Sequence, residues 1–137
     1  MTKKERFNLF VDYFEEHMPV AETELNYSNG FELLVAVILS AQCTDKRVNQ
    51  VTPALFRAFP VPEVLALSSQ DEIFHYIRSV SYPNNKSKHL VGMANMLVND
   101  FNSKVPMTVD ELQLLPGVGR KTANVVASVL YDVPTMP

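Results

Sequence analysis

The sequence predicts an all-α fold, and three observations carry that prediction. Apolar residues recur at i, i+3, i+4 and i+7 along most of the chain. No stretch alternates apolar and polar residues long enough to make a half-buried strand. The breaks between apolar runs are short and rich in Pro, Gly and Asn, which suits helix-to-helix connections. At 137 residues, with 47% hydrophobic and 20% charged residues, the chain suits one globular domain with a real core.

Taken in order, Lys3 to Met18 is the first expected helix, with Thr2 as N-cap and Pro19 as its stop. Phe7, Phe10, Val11 and Phe14 form its single apolar stripe. After a loop at Asn26 to Gly30, Phe31 to Ala41 is apolar nearly all round and belongs at the centre of the core. Gln42-Cys43 breaks it. Thr44 or Asp45 then caps a helix to about Phe59, with Val48, Val51, Leu55, Phe56 and Phe59 inward. Pro53 falls inside this pattern and predicts a kink or break.

Pro60 and Pro62 frame a turn into a short helix, Glu63 to Leu67. Ser69 caps Gln70 to Ser79, with Ile73, Phe74 and Ile77 inward. Ser81 to Asn85 is a loop, and Asn84 or Asn85 caps a long helix to about Phe101. Its buried face is Leu90, Met93, Ala94 and Leu97. Asn102 to Pro106 is a loop. Thr108 to Leu114 and Thr122 to Tyr131 are the last two expected helices.

Bulk properties narrow the function. The net charge is −3, so nucleic acid finds no global basic footprint, and any binding must rest on a local patch and on backbone N–H groups. Cys43 is the one cysteine, which excludes a disulfide framework and a cysteine metal site. His17, His75 and His89 are scattered without metal-ligand spacing. The charged N-terminus lacks the apolar run of a signal peptide, and Leu33 to Leu39 is too short to span a bilayer. A cytoplasmic protein is expected.

The stretch Leu115-Pro116-Gly117-Val118-Gly119-Arg120-Lys121 joins the last two helices. Pro116 disfavours a helical Leu115 and ends the first of them. Gly117 and Gly119 open backbone angles that other residues avoid and carry no Cβ. The second helix then starts with N–H groups that have no partner within it, and its dipole favours an anion there. Phosphate is the obvious anion, so Pro116, Gly117, Val118, Gly119 and Arg120 are expected at DNA. Lys121 stands on the first helical turn, where the dipole disfavours its charge. With partial burial, that field would lower its pKa and free a nucleophilic amine.

This string, with Thr122-Ala123-Asn124-Val125-Val126 following, resembles the helix-hairpin-helix DNA glycosylase superfamily, and the endonuclease III family in particular. The resemblance covers about Ser28 to Met136. It implies a helical-barrel domain at 21–137, with the helix-hairpin-helix at 109–131, and an N-terminal helix at 1–20 that belongs to a second domain. It implies base excision in duplex DNA on oxidised pyrimidines, with Lys121 attacking C1′ and forming a Schiff base before strand cleavage. Leu39-Ser40-Ala41-Gln42-Cys43-Thr44-Asp45 resembles the family segment whose glutamine fills the gap left by a flipped nucleotide, which implies that role for Gln42. Ser81-Tyr82-Pro83-Asn84-Asn85-Lys86-Ser87 departs from the family's Gly-Leu-Tyr pattern and places Tyr82 at the wedge position. Lys86, Lys88, Lys46, Arg47 and Arg120 are the expected phosphate contacts.

In the family an aspartate follows the second helix in a Val-Asp-Thr-His segment. Here Val133-Pro134-Thr135-Met136-Pro137 resembles the approach to it, and Asp132 precedes the matching Pro-Thr. The sequence therefore reads as a truncated chain, ending before that aspartate and before the cysteines of a [4Fe-4S] cluster. No cofactor is expected in this chain, and no base excision by it alone. The Phe7, Phe10 and Phe14 stripe must be covered, either by the helix folding back on its own barrel or by the same helix of a second chain, and the homodimer is the favoured expectation. Two further readings stand beside this one. The hairpin alone suits a non-catalytic DNA-binding module, and Tyr82 suits a mismatch or oxidised-purine glycosylase relative.

Overall fold

A computed structural model of the chain describes residues 24–131. Seven helices lie within that span: α1 (Gly30–Ser40), α2 (Asp45–Ala58), α3 (Pro62–Ala66), α4 (Gln70–Ile77), α5 (Pro83–Asp100), α6 (Val109–Leu112) and α7 (Arg120–Tyr131). No strand occurs among the described residues, so the all-α expectation holds. The expected N-terminal helix, its dimer stripe, and the segment from Asp132 onward lie outside the described residues.

α1 is the axis of the core. Asn29 caps it, its side chain accepting from the Glu32 N–H at 2.9 Å, while the Glu32 carboxylate accepts from the Ser28 N–H at 2.8 Å. Phe31 and every residue from Leu33 to Leu39 are buried, as the all-round apolar pattern requires. α1 packs against α2, α5 and α7, and α5 packs in turn against α3 and α4. The buried face of α5 includes Leu90, Met93, Ala94 and Leu97. Leu25 is buried ahead of α1. Its flanks are tied to α2 by Asn49, which accepts from the Asn26 N–H at 2.8 Å and donates to the Glu24 carbonyl at 3.0 Å.

Helix boundaries follow local chemistry. Thr44 caps α2, accepting from the Arg47 N–H at 3.1 Å. Of the kink or break expected at Pro53, the break is absent, and α2 runs through it. Pro53 is exposed there, so its ring is accommodated on the solvent side of the helix. Ser69 and Glu72 form a reciprocal capping box at the start of α4. Tyr82, rather than Asn84 or Asn85, is the cap of α5, with Pro83 in the first helical turn. Proline's fixed φ is already helical and its missing N–H costs nothing at that position.

These features separate core from cap in energy. Leu34 is fully buried at the centre of α1, so Leu34→Ala should destabilise the chain by about 2–5 kcal/mol through lost burial and an unfilled cavity. Ser69→Ala removes one half of an exposed capping box and should cost about 1 kcal/mol. Urea unfolding of both variants checks the order; equal losses would contradict the central placement of α1.

Candidate nucleic-acid interface

The hairpin is built from its first residue by short-range bonds. Thr108 caps α6, its hydroxyl accepting from the Glu111 N–H at 3.1 Å and donating to the Glu111 carboxylate at 3.1 Å. α6 is shorter than expected, and tight turns take the chain on, with Leu114 N–H bonded to Glu111 C=O and Leu115 N–H to Leu112 C=O. Leu115-Pro116-Gly117-Val118 then closes a turn with a 3.1 Å bond from the Val118 N–H to the Leu115 carbonyl. The glycine at φ +81° in the third position meets the requirement of a type II turn, and proline is common at its second position.

The two glycines of the hairpin have different reasons to be there. Gly117 needs its positive φ, and it lies against α5 so closely that a Cβ would sit 2.8 Å from the His89 Cβ. Beside it, a Cβ on Gly92 of α5 would meet the Pro116 ring at 3.1 Å. Gly119 is the opposite case, since a Cβ there would meet nothing within 4 Å. Packing within the chain does not explain Gly119; open space on that side leaves room for a bound group.

α7 begins at Arg120, two residues earlier than the sequence suggested, and Ala123 N–H makes a 2.9 Å bond to the Gly119 carbonyl. The N–H groups of Arg120, Lys121 and Thr122 precede that bond and have no carbonyl behind them in the helix. Arg120 and Lys121 are exposed. The partial burial expected for Lys121 is therefore not supplied by the described residues. The Val118 side chain is buried and its N–H donates to the Leu115 carbonyl, so it anchors the hairpin to the core.

Gln42 and Tyr82, the two residues expected to enter the duplex, share an unusual backbone. Both have left-handed conformations, with φ of 56° and 53°, and both are exposed, Tyr82 by 61%. A non-glycine residue held there costs about 1–2 kcal/mol, which the surroundings must offset. Lys46, Arg47 and Lys88 are exposed.

Lys86 corrects the sequence reading. It is buried, and its ammonium donates to the carbonyls of Leu39 at 2.8 Å and Ala41 at 2.6 Å. Burial holds its pKa below the ordinary lysine value, with nearby Cys43 acting in the opposite sense. A lysine whose charge is spent on two carbonyls inside the fold is not offered to phosphate. The sequence did carry a signal for this. Lys86 falls on the same helical stripe as Leu90, Met93, Ala94 and Leu97, the face that turns inward.

Among the described residues no cluster of three or more His, Cys, Asp or Glu could hold a metal ion. With one cysteine in the chain, a four-cysteine iron–sulfur cluster does not fit the residues present. No helix among the described residues is long and apolar enough to cross a membrane.

Comparison with known proteins extends this geometry. Endonuclease III of Bacillus subtilis (strain 168) is 43% identical over 136 residues, covering 99% of this chain and 62% of that protein. Endonuclease III of Synechocystis sp. is 42% identical over 132 residues, covering 96% of this chain and 60% of that protein. This chain thus spans under two thirds of the length of these relatives. A trapped covalent intermediate of endonuclease III with DNA superposes with a TM-score of 0.82 at 43% identity, covering 98% of this chain and 63% of that one. A non-covalent endonuclease III–DNA complex gives a TM-score of 0.83 at 42% identity, covering 99% and 64%. A thermostable thymine-DNA glycosylase shares the fold, with a TM-score of 0.73 at 22% identity, covering 95% of this chain and 60% of that one. Residues 35–130, from the middle of α1 to the end of α7, match the HhH-GPD superfamily of base excision DNA repair proteins, and the chain belongs to that superfamily.

Proposed function

We propose that this chain is the DNA-gripping, amine-bearing part of a cytoplasmic base-excision DNA glycosylase with abasic-site lyase activity. Its substrates are oxidised pyrimidines in duplex DNA. The observation that carries the reading is the open side of the hairpin. Gly119 faces free space, the unpartnered N–H groups of the first turn of α7 follow it, and Lys121 stands exposed on that same turn. A phosphate held there by N–H groups brings the deoxyribose within reach of the amine. The similarity to endonuclease III bound to DNA, once as a trapped covalent intermediate, supports the same assignment.

In this reading the neutral Lys121 amine attacks C1′, the glycosidic C–N bond breaks, and its electron pair leaves with the base, which takes up a proton. The sugar ring opens as the ring oxygen is protonated, leaving a C1′=N Schiff base to Lys121. Loss of a C2′ proton then expels the 3′ phosphate and cuts the strand. The water-poor surroundings such an amine needs come from the bound DNA, since Lys121 is exposed in the chain alone. Gln42 fills the space vacated by the extruded nucleotide, and Tyr82 stacks into the duplex beside it.

A second reading, a non-catalytic phosphate clamp, is favoured by the same exposure of Lys121. Borohydride trapping on an abasic duplex separates the two. A covalent product is expected with the unchanged chain and none with Lys121→Ala; no product from either would favour the clamp. Excision of an intact damaged base by this chain is expected to be negligible, because positioning from elsewhere contributes orders of magnitude. Efficient excision would contradict that. Gly119→Asp places a negative charge in the open space beside the N–H groups. It should weaken duplex binding at low salt, measured by fluorescence anisotropy; equal affinity for the two chains across a salt series would remove the hairpin as the anion site.

A further inference from the structure

We propose that Lys86 is a positioning residue that locks the Gln42 loop and the Tyr82 loop to one another, so that both are preset for a gap in duplex DNA. The inference rests on the DNA-binding reading above and adds a residue to it that touches no DNA.

The last carbonyls of a helix have no amide partners within it, and a cation there is favoured by the dipole. The Ser40 carbonyl accepts from the Cys43 N–H at 3.0 Å, and the Val37 carbonyl accepts from the Ser40 hydroxyl at 2.8 Å. The carbonyls of Leu39 and Ala41 receive the Lys86 ammonium. The Ala41 carbonyl belongs to the peptide that joins Ala41 to Gln42. Holding that peptide plane fixes the backbone on the N-terminal side of Gln42, whose φ of 56° is unfavourable for glutamine.

The same residue holds the other loop. The Lys86 backbone N–H donates to the Tyr82 carbonyl at 3.1 Å, closing the first turn of α5. Tyr82 is the left-handed cap of that helix and has no side-chain capping bond. Pro83 and the Lys86 N–H are what define its exit. Lys86 therefore bonds the peptide before Gln42 through its side chain and the Tyr82 carbonyl through its main chain. Two exposed residues, both left-handed and far apart in sequence, are joined through one buried lysine.

Position and chemistry both argue for a specific device. A buried lysine is costly unless its charge is hydrogen-bonded, and an apolar residue would satisfy the inward face of α5 more cheaply. An apolar residue would also leave two helix-terminal carbonyls unpaired beside a residue already held at a positive φ. A four-carbon stem ending in several donors reaches both carbonyls from the neighbouring helix.

The test uses the 137-residue chain and two duplexes, one intact and one with a tetrahydrofuran abasic analogue facing 2-aminopurine. Affinity for each duplex and the 2-aminopurine fluorescence are measured. The unchanged chain should prefer the abasic duplex and brighten the 2-aminopurine as its stacking is disturbed. Lys86→Met should cut that preference by about tenfold, in line with loss of a charge-assisted bond, and abolish the brightening, while intact-duplex affinity changes far less. Lys86→Arg should recover most of both signals. A Lys86→Met chain that keeps the full preference and brightening would overturn the inference. So would equal loss on both duplexes, which marks a merely structural lysine. If Lys86→Met fails to melt cooperatively, Lys86→Gln, with a shorter amide donor, should show an intermediate preference, and an undiminished one would overturn the inference equally. Intact-duplex binding without any abasic preference in the unchanged chain overturns this inference alone. Absence of binding to either duplex overturns the functional reading with it.

Discussion

The approach of Gly117 to His89 is the constraint on which the rest of the site depends. It leaves no room for a side chain and sets the hairpin against the middle of α5. Pro116 on Gly92 repeats the contact alongside. Because these contacts are backbone and ring against helix, they admit little adjustment. α5 also carries Tyr82 at its start and Lys86 one turn in. A single rigid helix thus sets the relation between the hairpin and the loop that holds Tyr82. Rigid support of this kind is what the proposed reaction at one sugar carbon would require, since small misplacements of an attacking group are costly in rate.

Electrostatics within this frame are local. The net charge of −3 gives DNA no general attraction, and the buried charge of Lys86 is already committed to carbonyls. What remains exposed to an anion is the positive end of α7 with Arg120 and Lys121, together with Lys46, Arg47 and Lys88. A site made of N–H groups and few cations binds with modest salt dependence and with geometry stricter than a basic patch would impose.

Much of this was legible in the sequence because it depends on short-range rules. The all-round apolar run of α1 marked the core, Ser69 and Thr44 marked helix starts, and Pro116-Gly117 marked the turn. The boundaries that moved did so for equally local reasons, such as Pro83 taking the first turn of α5 from the asparagines. What the sequence hid was tertiary. Lys86 looked like a phosphate contact because lysines near a DNA-facing loop usually are exposed, yet its place on the buried stripe of α5 was visible. The seating of Gly117 on His89 joins residues brought together only by folding, and no spacing announces it. Val118 sits inside the hairpin string but turns inward, a direction that the order of letters does not give.

Amide chemical-shift mapping of the chain with a short abasic duplex tests the central claim most directly. The account predicts that the largest shifts fall together on Gly117, Gly119, Arg120, Lys121 and Thr122, with a second group at Gln42 and Tyr82. Shifts centred on the exposed faces of α2 and α4, with Gly119 and Lys121 unmoved, would contradict it.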